Sequence, residues 1–240
     1  MAANPWFSSW NYGLFRILFG FIPHRDFTDN LCQVLISTPL LSTWVFAACC
    51  YRYWTKYDEP RDGELRARRR RYLVNAAAAF GIACLVTLVL RPWIHWPAPV
   101  LNPDYQPLFP RDLWGDGVAN CFPSHSTLAY FMTAVGFWPL NRRLSLCLSG
   151  MALLLVSFPR VYVGGHYPID VLFSCLLGIL VLAAVWRSPL MASGPPKTVK
   201  RKGAGGLFRE FVFFLWVFEL GEGFRSVELL FSAVRHMSSR

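Results

Sequence analysis

Residues 158–178 read FPRVYVGGHYPIDVLFSCLLG and join a glycine-containing turn to an apolar, uncharged segment. Within this stretch Arg160, His166 and Asp170 follow the pattern Arg-x5-His-x3-Asp. If a helix starts near Tyr167, the Asp170 carboxylate lies close to one turn beyond the imidazole and accepts its Nδ1 proton. The Nε2 atom of His166 is then free to act as a nucleophile. The stretch therefore predicts a turn that carries a reactive histidine and leads into a long apolar helix.

The residues just before this histidine favour a bound anion. Gly164 and Gly165 let the backbone approach a group that lies before the helix N-terminus, a position suited to negative charge. Arg160 adds a planar fork of donors that matches phosphate oxygens. The spacing alone is loose, however, and an ordinary reading makes Arg160 an interfacial anchor and His166 a helix-start residue. The rest of the chain decides between these interpretations.

The apolar residues of the chain fall in long uncharged segments rather than in an amphipathic period. Of its 240 residues, 54% are hydrophobic and 16% are aromatic, which is unusual for a soluble domain. A bilayer core of roughly 30 Å needs about 20 apolar residues per helix, and shorter segments span it when flanking residues snorkel. The segments are 31–50, 72–90, 124–140, 144–158 and 171–186. We predict an all-α, polytopic membrane helical bundle with about five to six transmembrane helices and interfacial helices at its ends.

The net charge of +10 is distributed as in a membrane protein rather than as in a nucleic-acid-binding protein. Basic residues concentrate at 66–71, at 142–143 and at 187–202, which lie in alternate connections between the predicted spans. This alternation follows the positive-inside rule and places these connections in the cytoplasm. The connection 92–123 has few basic residues and is expected outside. We therefore expect a lipid bilayer as partner and no nucleic acid.

The same segments divide the chain into four predicted parts. Residues 1–27 contain a short apolar stretch interrupted by Arg16 and are expected to lie along the membrane interface. Residues 28–187 form the membrane core, and residues 188–206 form a basic linker rich in glycine and proline. The aromatic segment 207–240 carries four glutamates and is expected to be interfacial or reentrant.

The cysteines and carboxylates give no sign of a metal site or a disulfide framework. The seven cysteines lie mostly inside apolar segments, without Cys-x2-Cys spacing, and are interpreted as small buried apolar residues. No cluster of carboxylates offers the oxygen ligands that a hard cation prefers. We expect no metal.

Three groups of polar residues fall at one depth on the outer side of this topology. Arg91 ends the second span, Ser124 and His125 open the third, and the Arg-x5-His-x3-Asp group lies between the last two. A serine and a histidine in the first turn of a helix can point side chains and N–H groups at an anion. Singly, they also fit a snorkelling arginine, an N-cap serine and an interfacial histidine. Together they supply charge neutralisation, an in-line nucleophile and an acid, which phosphoryl chemistry requires.

These motifs and their order resemble the type 2 phosphatidic acid phosphatase and vanadium haloperoxidase superfamily, in its membrane-bound lipid phosphatase branch. Its signature is Lys-x6-Arg-Pro, then Pro-Ser-Gly-His, then Ser-Arg-x5-His-x3-Asp. Residues 91–92 (RP), 123–125 (PSH) and 159–170 (PRVYVGGHYPID) match the three motifs in this order. The haloperoxidases are soluble, so the apolar composition favours the lipid phosphatases.

The resemblance implies a mechanism and a set of residues. His166 attacks phosphorus to form a phosphohistidine, Asp170 orients it, and His125 protonates the leaving oxygen before a water hydrolyses the intermediate. No metal or other cofactor takes part. The residues expected to hold the phosphate oxygens are Arg91, Ser124, Arg160 and Gly165.

Two departures from the family pattern affect the first two motifs. Cys84 stands where the family has lysine, which removes one phosphate-binding charge, and Arg111 is a candidate substitute. The second motif lacks its glycine, so Ser126 occupies the slot of the family histidine and His125 comes one residue early. One residue is about 100° around a helix, so His125 serves only if the helix start shifts.

The expected substrate is the phosphate group of a membrane lipid, hydrolysed on the extracytoplasmic face of a bacterial cytoplasmic membrane. The resemblance leaves open isoprenoid diphosphates, phosphatidic acid, phosphatidylglycerophosphate and a lipid A phosphate. Two alternatives also stay open. One is a phosphotransferase that passes the phosphoryl group from the same histidine to another hydroxyl. The other is a catalytically weak lipid-binding or transport relative, which the two departures favour.

Overall fold

A computed structural model describes residues 5–37, 40–55, 63–90, 94, 96–110 and 121–188. Every regular element in these ranges is helical, and no β-strand occurs among them. This agrees with the predicted all-α class. The predicted linker 188–206 beyond its first residue, and the C-terminal segment 207–240, lie outside the described residues.

The first half of the chain forms four helices. They are α1 (Pro5–Phe21), α2 (Asp26–Ser37), α3 (Leu40–Thr55) and α4 (Gly63–Leu90). The prediction of one span over the segment 31–50 is therefore wrong, because α2 and α3 divide this segment. The sequence has Pro39 at the division, and proline lacks an amide donor and disfavours helical geometry in the residue before it.

The arginine-rich stretch is helical rather than a loop. The sequence predicted a loop over 51–71, whereas α4 begins at Gly63 and runs for 28 residues. Arginine, leucine, alanine and glutamate are strong helix formers, and residues 64–80 contain neither glycine nor proline. The apolar segment of α4 therefore continues into a charged N-terminal extension. The helix ends at Leu90, the predicted end of the second span.

The second half holds the elements that carry the predicted motifs. Helix α5 (His125–Gly136) is shorter than the predicted span 124–140, because the turn after it contains Pro139. Helix α6 (Arg142–Met151), a π-helical stretch (Ala152–Ser157) and α7 (Phe158–Tyr162) form one continuous rod, and α8 spans Pro168–Arg187. Two 3₁₀ turns, Pro99–Leu101 and Gln106–Leu108, shape the connection before α5.

Within the described ranges, two helical stretches are long and apolar enough to cross a bilayer. They are Arg142–Tyr162, of 21 residues, and Pro168–Arg187, of 20 residues. Helix α8 also exposes an apolar stripe that includes Leu172, Leu176 and Leu180. A continuous exposed apolar face of this kind marks a surface that contacts lipid or another apolar partner. The total of about five to six spans stays a prediction.

Helix α5 lies at the centre of the bundle, against α4, α6 and α8. Its Leu128 and Met132 are buried in a cluster with residues of α4 and α8. The backbones approach closely because small residues line the contacts: a Cβ at Gly178 would lie 2.7 Å from Met132 Cγ. Small residues allow this kind of close approach between membrane helices. The contact fixes the start of α5 relative to the start of α8, where the predicted motifs lie.

Candidate active site

The turn between α7 and α8 closes around the carbonyl of Arg160. The amides of Gly165 and His166 both donate to this oxygen, at 2.8 and 3.2 Å. A side chain at position 165 would place its Cβ 3.2 Å from the same oxygen, which accounts for the glycine. Helix α8 then begins at Pro168, with Tyr167 as its N-cap, at the predicted start.

Gly164 adopts a backbone conformation that favours glycine at this position of the turn. Its φ angle of 76° lies in the left-handed region that glycine adopts without strain. A Cβ at this position would also lie 3.0 Å from the ring of Phe109, and the Gly164 carbonyl accepts a hydrogen bond from the Val100 amide at 3.1 Å. The connection before α5 is thus packed directly onto the histidine-bearing turn.

The turn places His166 beside Asp170. The Nδ1 atom of His166 lies 3.6 Å from Asp170 Oδ2, which is slightly longer than a hydrogen bond. Asp170 Oδ2 instead accepts the Tyr167 amide at 2.9 Å, which anchors the carboxylate at the start of α8. The Asp170 side chain is completely buried, whereas His166 retains 16% of its exposure. A small rotation of the imidazole would complete the predicted pair, and such contacts often tighten only when substrate binds.

Ser124 is the N-cap residue of α5 and is completely buried. Its hydroxyl donates to the Thr127 hydroxyl at 3.0 Å, and Thr127 lies 2.8 Å from the Ser157 hydroxyl. Ser157 donates to the Ala152 carbonyl at 3.1 Å, within the π-helical stretch. We call this arrangement the hydroxyl chain. It directs the Ser124 hydroxyl into the protein, so this group must rotate to meet a phosphate oxygen.

His125 links the start of α5 to the end of α4. Its Nε2 atom lies 3.0 Å from the Thr87 hydroxyl, and that hydroxyl donates to the Cys84 carbonyl at 2.8 Å. A hydroxyl has only one proton to donate, so Thr87 accepts from His125, whose Nε2 therefore carries hydrogen. This Nε2–H group, which either the neutral or the charged imidazole can carry, is directed at Thr87.

Sequence reasoning missed Thr87. Positions 84 and 87 are three apart, which places them on one face of α4. A polar residue within the apolar segment, on the face where the family has its lysine, was the signal that could have identified it.

Arg160 and the amide of Gly165 are both hydrogen-bonded within the protein. The Arg160 Nη1 atom donates to the Val156 carbonyl at 3.0 Å, in the preceding turn of its own rod. The Gly165 amide is bonded to the Arg160 carbonyl, as described above. The Gly165 amide and the Nη1 group of Arg160 therefore exchange an internal acceptor for the ligand if they bind one.

Of the remaining predicted site residues, one is described by the structure and two are not. Ser126 lies in the first turn of α5 and is half-buried. Arg91 and Arg111 lie outside the described residues, and their contribution stays a prediction. Among the described residues, the structure brings together His166 with Asp170 and places Ser124 and His125 at the opening of α5.

Cys121 is a second residue that sequence reasoning missed at this site. Its Sγ, a ring nitrogen of His166 and a carboxylate oxygen of Asp170 all lie within 4.8 Å of one another. Burial, and then the negative charge of Asp170, raises the pKa of the Cys121 thiol well above its usual range. The thiol is therefore protonated at neutral pH. The interpretation of the cysteines as simple apolar residues overlooked a cysteine that adjoins the second motif.

The N-terminal segment holds the other end of α7. The Tyr162 hydroxyl donates to Asp29 Oδ1 at 2.8 Å, and His24 Nδ1 lies 3.0 Å from the same oxygen. The imidazole of His24 also packs on the Tyr162 ring, with centroids 4.6 Å apart. Tyr162 lies inside the third motif, so this contact connects the motif to residues far away in the sequence.

We expect Asp29→Ala to lower thermal stability and activity together. The substitution removes the acceptor of two partly buried hydrogen bonds. Bonds to a charged group contribute about 1.5–3 kcal/mol each. The neighbouring Thr28 hydroxyl, which can also accept from Tyr162, compensates part of this loss. Thermal unfolding in detergent measures the loss, and Asp26→Ala, at an exposed position in the same helix turn, is the matched control. Equal stability of both variants would mean that the cluster does not hold the turn.

The comparisons with known proteins can now be set beside this geometry. The family model described as the PAP2 superfamily matches residues 70–193, and the chain belongs to this superfamily. It is 26% identical over 181 residues to undecaprenyl-diphosphatase BcrC of Bacillus subtilis (strain 168), covering 71% of this chain and 80% of that protein. No solved structure matches the chain significantly.

These findings confirm the resemblance seen in the sequence. The family and the relative identify the chain as a phosphatase, hence a hydrolase. The apolar helices and the relative indicate a membrane protein. The matched range contains α5 to α8 and most of α4, and therefore all the motif residues from Cys84 to Asp170.

Proposed function

We propose that the protein is an integral membrane lipid phosphatase that removes a phosphate from a lipid phosphate or isoprenoid diphosphate through a phosphohistidine intermediate, without a metal cofactor. The placement of His166 carries this proposal: its turn is fixed by backbone hydrogen bonds, and a buried carboxylate lies behind its Nδ1 atom. This geometry leaves Nε2 as the atom available for attack. A buried carboxylate in this position holds the imidazole in one tautomer and stabilises its positive charge, as in other histidine-dependent sites.

The reaction runs in two displacements. The Nε2 atom of His166 forms a bond to phosphorus while the bond from phosphorus to the leaving oxygen breaks, and the Nε2 proton of His125 passes to that oxygen. A water then loses a proton to His125 and attacks the phosphohistidine, which releases inorganic phosphate and restores His166. Arg91, Ser124, Arg160 and the Gly165 amide hold the equatorial oxygens, with Ser126 and Arg111 as auxiliary groups.

An isoprenoid diphosphate is the substrate class best supported. The relative that aligns over most of the chain is named as an undecaprenyl diphosphatase. The apolar stripe of α8 would contact the lipid phase directly beside the turn that carries His166. The alternation of basic connections supports the extracytoplasmic face of a bacterial cytoplasmic membrane for the site.

The test is phosphate release from a long-chain isoprenyl diphosphate by the full chain in detergent, with EDTA and with or without orthovanadate. We expect release that vanadate suppresses, because a bound vanadate imitates the transition state of phosphoryl transfer. Release that stops in EDTA and returns with Mg²⁺ would refute the metal-free mechanism. Release only after addition of an acceptor lipid would instead identify a phosphotransferase, and lipid binding without turnover a binding or transport relative.

A further inference from the structure

Three buried groups with metal-binding atoms meet behind the proposed nucleophile. The Cys121 side chain is 1% exposed and that of Asp170 is completely buried. Among the described residues, His166 Nδ1 and Asp170 Oδ1 form no hydrogen bond of ordinary geometry, although the Cys121 thiol interacts with the Asp170 carboxylate. Buried polar atoms without such bonds are rare in folded proteins because each costs the free energy of its desolvation. Two such atoms beside a thiol therefore mark a position where a ligand can bind.

The size of the cluster fits a small divalent cation. The three ligand atoms lie within 4.8 Å of one another. In a tetrahedral Zn²⁺ site, with bonds of about 2.0–2.3 Å, neighbouring ligand atoms are about 3.4 Å apart. A bound cation would therefore require the Cys121 and His166 side chains to rotate toward Asp170.

The chemistry of the three groups selects the kind of cation. A thiolate, an imidazole and one carboxylate favour a borderline or soft metal such as Zn²⁺ over Mg²⁺ or Ca²⁺, which prefer several oxygen ligands. Binding converts the Cys121 thiol to a thiolate and releases its proton to solvent, so no oxidant or reductant is needed.

We propose that Cys121, His166 and Asp170 form an inhibitory Zn²⁺ site. The cation would bind His166 through Nδ1, the atom that the carboxylate must orient for catalysis. It would also occupy the carboxylate, so Asp170 no longer stabilises positive charge on the imidazole. The inhibitory effect rests on the proposed function of His166, whereas the binding of the metal does not.

The first measurement is inhibition of phosphate release by buffered free Zn²⁺. Wild type is compared with Cys121→Ser and Cys121→Ala, each relative to its own activity without metal, and with Cys175→Ser in α8 as a matched cysteine control. We expect inhibition of wild type and Cys175→Ser that EDTA reverses. Loss of a ligand should shift half-inhibition of the Cys121 variants by at least roughly 100-fold, since even outer partners of metal ligands are worth 10–100-fold. Mg²⁺ should not inhibit.

The second measurement detects the metal without turnover. Co²⁺ bound through a thiolate gives a sulfur-to-metal charge-transfer band in the near ultraviolet. Cys49 and Cys147 lie close enough to interact, so the spectra use a Cys49→Ser/Cys147→Ser background. The band should appear in that background and vanish on the further substitution Cys121→Ser.

The two measurements separate the site from the proposed function. A cobalt band that depends on Cys121, in a protein without phosphatase activity, would support the metal site and refute the proposed phosphatase function. Equal Zn²⁺ inhibition of wild type and the Cys121 variants, or no cobalt band that depends on Cys121, would overturn the metal site and leave the phosphatase mechanism intact.

Discussion

His166→Ala is expected to abolish phosphate release while the protein still inserts and retains its unfolding temperature. The substitution removes the attacking Nε2 atom, and loss of a covalent nucleophile lowers kcat by roughly 10⁴-fold or more. We expect the side chain to contribute little to stability, because its Nδ1 lies 3.6 Å from Asp170 Oδ2, beyond hydrogen-bonding distance, and the turn is closed by backbone bonds. The measurement is initial phosphate release from an isoprenyl diphosphate, beside thermal unfolding of the same preparation.

Trapping of the intermediate provides an independent readout for this variant. Wild type quenched during turnover of a labelled substrate should retain label that is stable to alkali and lost in acid, as phosphohistidine is, and His166→Ala should retain none. His236→Ala, far along the sequence from the motifs, is the control and should keep both label and turnover. Activity of His166→Ala within tenfold of wild type would refute the nucleophile assignment.

Asp170→Asn is expected to lower kcat by about 10³–10⁴-fold with little change in KM. The asparagine oxygen can still accept the Tyr167 amide, so the start of α8 is preserved. The atom that accepts this amide, Oδ2, is also the one nearest His166 Nδ1, so the asparagine that keeps the bond presents an uncharged oxygen to the imidazole. In the flipped orientation its NH₂ group would donate to Nδ1 instead, which moves the imidazole proton to Nε2 and blocks attack. The buried negative charge that stabilises the imidazolium is lost as well.

The control for this variant is Asp104→Asn, in an exposed turn of the connection before α5. It should have wild-type kcat and KM. An Asp170→Asn enzyme with normal kcat and a raised KM would contradict the orienting role, since it would place the carboxylate in substrate binding instead. An unfolding temperature measured beside the kinetics separates lost chemistry from a lost helix start.

The relation between His166 and Asp170 was predictable because it is local. The four-residue spacing and the helix start at Tyr167 fix the position of Asp170 relative to His166, and the paired glycines indicate the turn. The break between α2 and α3 was also signalled, by Pro39, and was overlooked because hydropathy averages over a single proline. The arginines of α4 show the opposite error, because a helix was missed instead of a break. Their charge was interpreted as a loop, although the helix propensity of arginine is high.

The partners of Ser124, His125 and Cys121 were not predictable by the same reasoning. The partner of His125 lies on α4 and the groups beside Cys121 lie at the start of α8, so only the packing of the elements brings them near. Ser124 illustrates a second difficulty: an N-cap serine is expected to accept a backbone amide of its helix, yet this one donates to the Thr127 hydroxyl within the hydroxyl chain. Sequence spacing gives the order of polar groups along the chain but not their direction in space.

The hydroxyl chain also bears on the release of phosphate from the proposed site. Ser124 already has a satisfied donor, and so do Arg160 and the Gly165 amide. If the proposed site binds phosphate, the bonds from the Ser124 hydroxyl and the Gly165 amide replace bonds that existed before. These two groups then add little to the binding of an ordinary phosphate, whereas the more highly charged transition state gains more from the exchange. We therefore expect the released phosphate to bind weakly.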